Sequence, residues 1–60
     1  MKNTLNQDMQ TACQNMLEAA RFNGLLEQAK LWERHLQWLK ENETATIQDA
    51  AANMDELGLP

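Results

Sequence analysis

Sixty residues with five basic and nine acidic side chains, a net charge of −4, form at most one domain. A chain this short buries only about 60% of the surface it exposes unfolded, so its core needs a staple. Cys13 is the single cysteine and excludes an intrachain disulfide, which leaves oligomerisation or a bound partner as the expected staple. The charge is unevenly spread: residues 1–40 balance to +1, whereas residues 41–60 hold five carboxylates and no cation. With no basic stripe to displace counterions from phosphates, nucleic-acid binding is not favoured. Residues 1–20 lack a continuous apolar run, so neither a signal peptide nor a membrane span is expected, and the cytoplasm is the default location.

The first predicted helix covers residues 4–22. Leu5, Met9, Ala12, Cys13, Met16, Leu17 and Ala20 recur at helical steps and line one face. Gln7, Gln10, Thr11, Gln14 and Asn15 make the opposite face polar. Asn23-Gly24 then supplies residues that tolerate a left-handed backbone, so a tight reversal into an antiparallel helical hairpin is expected.

The second predicted helix covers residues 25–41. Its seam of Leu25, Ala29, Trp32, Leu36 and Leu39 is spaced 4-3-4-3, and Leu31, His35 and Trp38 form a second stripe on one flank. Together they span roughly half the circumference, more than the ~100° that a single neighbour requires. Glu27, Lys30, Glu33, Arg34 and Glu41 keep the remaining side polar.

After the polar connection 42–46, Thr46 and Asp49 have the spacing of a capping box with Asp in the distal position. Ile47, Ala50, Ala51, Met54 and Leu57 mark one face of a third helix at residues 47–57, stopped by Gly58 and Pro60. The expected fold is therefore all-α: an antiparallel helical hairpin plus a shorter third helix, a small three-helix unit that dimerises.

Catalytic chemistry has little to draw on. His35 has Leu31 and Leu39 one turn away and the two tryptophans at three residues, none of which ligates a metal. Cys13 sits on the apolar face of the first helix with no cation beside it, so it reads as a small core hydrophobe. No Gly-rich phosphate loop is present. The expectation is a non-enzymatic protein without cofactor, metal or small-molecule substrate.

Two local resemblances exist. Residues 46–59, TIQDAAANMDELGL, resemble the first helix of a helix-turn-helix, but the sequence ends two residues after Gly58 and no recognition helix is expected to follow. The hairpin around Gly24 and Ala29 resembles a tetratricopeptide unit, although the tryptophan-leucine-glycine signature of that unit's first helix is missing. Neither resemblance transfers a function.

The leading expectation is a small protein–protein interaction module (adaptor, chaperone-like subunit or inhibitor) whose partner is another protein, a second copy of the chain, or both. It would dock through the flank of the second helix, with Leu31, His35 and Trp38 as anchors and Arg34 at the rim; the competing expectation is that Ile47, Met54 and Leu57 of the third helix cover this flank. The alternative is a dimeric DNA-associated regulator using Lys30, Arg34 and Lys40, opposed by Glu27, Glu33 and Glu41 on the same side. A membrane-surface helix ranks lower, because the polar face of the first helix is amide-rich rather than basic.

Overall fold

A computed structural model describes residues 4–59, with side chains from Leu5 onward. It contains three helices: α1 (Thr4–Phe22), α2 (Leu26–Glu41) and α3 (Ile47–Leu57). The all-helical hairpin-plus-short-helix architecture expected from the sequence is what forms. The N-terminal residues Met1 and Lys2, and the terminal Pro60 expected to help stop the third helix, lie outside the described residues.

Local signals explain where each helix ends. Gly24 adopts φ 72°, which costs glycine nothing. Gly24 N–H then donates to Arg21 O and Leu25 N–H to Ala20 O, satisfying carbonyls that the last turn of α1 leaves open. Leu25 is consequently the cap of α2 rather than its first turn. At α3, Thr46 Oγ1 accepts from Asp49 N–H while an Asp49 carboxylate oxygen accepts from Thr46 N–H, completing the capping box. Gly58 closes the other end of α3 at φ 78°, and Leu59 N–H bonds back to Met54 O.

The core lies mainly between α1 and α2. Cys13, Leu17 and Ala20 from α1 meet Ala29, Trp32 and Leu39 from α2, and Ala50 and Leu59 complete the buried set. Cys13 Sγ donates to Trp32 O at 3.2 Å, tying the helices mid-length.

The packed sector of α1 is rotated relative to the expected face. Leu5, Ala12 and Met16 are exposed, while Asn6 is 2% exposed and Gln10 is half-buried. Asn6 is buried because its Nδ2 donates to Leu39 O at 2.9 Å and to Asn42 O at 3.4 Å. These carbonyls, of the last turn of α2 and of its cap, also accept from Asn42 N–H and Ala45 N–H, so the amide is a further donor at the helix end. Gln10 Nε2 in turn donates to Asn6 Oδ1 at 2.6 Å. Leu25, at the cap of α2, departs from the expected seam and is exposed beside the hairpin turn.

The third helix folds back on α2. Among the described residues the backbone of α3 approaches α2 closely, whereas no Cα of α3 comes within 8 Å of one in α1. No helix of the described residues is long and apolar enough to cross a membrane.

Candidate functional site

The expected docking flank of α2 is where α3 sits. His35 is 3% exposed, with its Nδ1 2.7 Å from Asn53 Oδ1 of α3. Its ring stacks on Trp38 with centroids 6.0 Å apart and planes inclined by 9°, and meets Trp32 edge-on. Leu31 and Trp38 are half-buried, packed against the core cluster, and Arg34 is exposed. The structure thus brings His35 and Trp38 against α3, while half-buried Leu31 packs on the core cluster and Arg34 stays exposed. His35, expected as a surface anchor, is interior because α3 supplies both its lid and its hydrogen-bond partner.

Covering that flank opens a cleft next to it. Since the backbone of α3 lies close to α2 but stands off from α1, a trough of about 340 Å³ remains between α1 and α3. Met9, Ala12 and Met16 form one wall, and Ile47, Ala51 and Met54 the other. Cys13, Trp32 and His35 lie deeper, where the trough meets the core. Both walls are helical: successive members lie three or four residues apart, so each wall is one stripe of its helix. Met16 and Ile47 are strongly exposed, Ile47 at 61%. Large apolar side chains left in water beside a hydrophobic trough mark a surface suited to association.

Other surfaces offer different chemistry. A second recess of about 350 Å³ lies where Trp38 and Asn42 face Asp49, Asn53 and Glu56. One of its carboxylates, Asp49, is already engaged in the capping box. Phe22, 92% exposed, stands with Leu25 and Leu26 at the hairpin turn as a separate apolar tip.

Cys13 is the one thiol, and burial pushes it up to about 11. A thiol held protonated at neutral pH is a poor nucleophile. Among the described residues, no group of three or more His, Cys, Asp or Glu side chains is placed to hold a metal ion.

Sequence reasoning missed the cleft because it treated the apolar arc of α1 as one face. A signal was present: Leu5, Met9, Ala12, Met16 and Ala19 repeat at 4-3-4-3, a seam of their own beside the buried Cys13 and Leu17. No protein-family model, curated protein or solved structure matches this chain, so the geometry of its own residues carries the functional argument.

Proposed function

We propose that the chain is a small, non-enzymatic protein–protein interaction module that seats an apolar helix in the cleft between α1 and α3. The observation that carries this reading is the cleft itself. Its two walls are stripes of Met, Ala and Ile side chains, and its depth reaches the core tryptophan Trp32. A helix laid into such a trough presents residues at i, i+4 and i+7 to both walls, the usual helix-in-groove mode. Methionines suit this role, because their unbranched side chains adapt to an incoming surface.

The cleft lies beside the expected docking stripe of α2, where His35 is buried with its ring nitrogen on Asn53 of α3 and Trp38 is half-buried. The DNA-associated alternative has weaker support. Arg21 is paired with Glu33, and exposed Lys30 and Arg34 share their helix with exposed Glu27, Glu33 and Glu41.

Site-specific photo-crosslinking in cells tests the reading. A crosslinker at Ala12, on the exposed cleft wall, is expected to give a discrete protein adduct. The same group at exposed Gln7, on the far side of α1, is expected to give none. Equal labelling from both positions, or none from Ala12, removes the cleft as the docking surface.

A further inference from the structure

We propose that the occupant of this cleft is an amphipathic helix with basic edges, supplied by a different protein. The inference rests on reading the cleft as a docking site and adds what the occupant must be.

Among the described residues, the charge bordering the cleft has one sign. Asp8 stands one turn from Ala12 and Asp55 one turn from Ala51, both exposed, so a carboxylate borders each wall. No cationic side chain lines the cleft among the described residues. The chain's described cations lie elsewhere. Arg21 is held by Glu33, Lys40 borders a recess with Gln10 and Gln14 on another side of the hairpin, and Lys30 and Arg34 project from exposed positions of α2. A helix entering the trough thus meets apolar walls in the middle and a carboxylate on each side. The matching surface is an apolar stripe flanked by Lys or Arg on both edges. From Met9 to Met16 the wall is about 10 Å long, so about two turns of the occupant make the central contact.

A second copy of this chain is a poor match. Apart from Arg21 at the end of α1, which is ion-paired with Glu33, its exposed described cations are on α2, whose outward positions Glu27, Lys30, Arg34, Gln37 and Glu41 carry no apolar stripe. Its exposed apolar stripe is on α1, which brings another Asp8 toward the same carboxylates, in a chain of net charge −4. Among the described residues, the two requirements, apolar stripe and basic edges, do not coincide on any one helix.

The test titrates two synthetic helical peptides into the full-length chain and follows tryptophan fluorescence, because Trp32 lies in the cleft. Both peptides carry leucines at i, i+4 and i+7; one has lysines along the edges, the other glutamates at the same positions. At low salt the lysine peptide is expected to bind about fivefold to tenfold more tightly, the preference that a small number of rim ion pairs supplies. The double variant Asp8→Asn/Asp55→Asn is expected to erase most of that preference. Glu27→Gln/Glu41→Gln, which removes the same charge from α2, is expected to preserve it. If both double variants reduce the preference equally, overall acidity and not the rim is responsible, and the proposal falls. If the two peptides bind equally and Ala12→Arg abolishes both, the cleft docks helices but the basic partner is wrong. If neither peptide binds and light scattering shows a dimer that Ala12→Arg dissolves, the occupant is a second copy and the proposal is overturned. If neither peptide binds and the chain is monomeric, the docking reading falls with it.

Discussion

Where α1 meets α2, side chains buried from both helices run along the contact, from Cys13 to Ala20 on one and from Ala29 to Leu39 on the other. Where α3 meets α2, the helix itself contributes a single fully buried residue, Ala50, and the contact is completed by half-buried Asn53, Met54 and Leu57 and by Leu59 beyond its end. The hairpin is thus held by packing between distant parts of the chain. The third helix depends more on its own termini, the capping box at Thr46 and the left-handed Gly58. An isolated helix of 11 residues is marginal in water, so these end signals and a light apolar contact must together hold it in place. One molecule therefore combines a packed platform with a lightly fastened wall, and the cleft lies between them.

The largest expected effect comes from breaking the platform. Leu39 is 1% exposed and lies in the buried cluster shared by the two hairpin helices. Leu39→Ala is expected to cost about 2–5 kcal/mol. A domain of this size has only about 3–9 kcal/mol of stability in all, so most of the folded population is at stake. Thermal unfolding followed by circular dichroism should show a steep drop in midpoint, with all three helices lost together. Survival of the α1 and α2 signals while α3 alone melts would reverse the assignment of platform and wall.

Asn6 comes next. Its amide reaches 33 residues along the chain to Leu39 O, so Asn6→Leu removes a buried donor and leaves α2 carbonyls less well satisfied. The expected cost is about 1–3 kcal/mol in chemical denaturation. Faster amide exchange should accompany it in the last turn of α2. An unchanged denaturation midpoint would mean that the added leucine offsets the lost hydrogen bonds and that Asn6 does not anchor the hairpin.

Asn6 also shows what was legible in the sequence and what was not. The three helices, the Asn23-Gly24 reversal and the Thr46–Asp49 cap follow from spacings of a few residues, and each was readable as local chemistry. The α2 seam was readable for Ala29, Trp32 and Leu39, since a heptad pattern states which residues share a stripe. It does not state which of two adjacent stripes meets which neighbour. Asn6 carries no local signal of its role, because its acceptors lie at the far end of the next helix. His35 and Trp38 looked like a surface stripe, because no local signal shows that α3 will lie on them. The cleft is a consequence of both choices, the sector of α1 turned inward and the seat of α3, and each is made by tertiary packing.

Cys13 probes the platform through pH. Its thiol is pushed from 9.0 up to about 11 by burial, so the folded chain holds this proton more tightly than the unfolded chain does. The stabilisation is present in full below pH 9 and is lost as pH rises toward 11. The urea midpoint of the native sequence should therefore fall across this window relative to Cys13→Ala, which has no thiol to ionise. Parallel pH profiles for the two proteins would place Cys13 in a better-solvated position than the packed hairpin allows.

The smallest expected effect is also the most selective. Thr46→Ala removes the side-chain acceptor for Asp49 N–H at the start of α3 and is expected to cost about 1 kcal/mol. Because that bond is local to α3, the loss should be concentrated there. Amide exchange is expected to quicken through Ile47–Leu57 while Cys13, Leu17 and Trp32 keep their protection. A uniform rise in exchange across all three helices would mean that platform and wall open as one cooperative unit, and that the cleft is as rigid as the hairpin. A confined rise would mean that the wall carrying Ile47, Ala51 and Met54 can shift against a fixed Met9–Met16 wall. The cleft could then adjust its width to the helix it receives without disturbing the core beneath it.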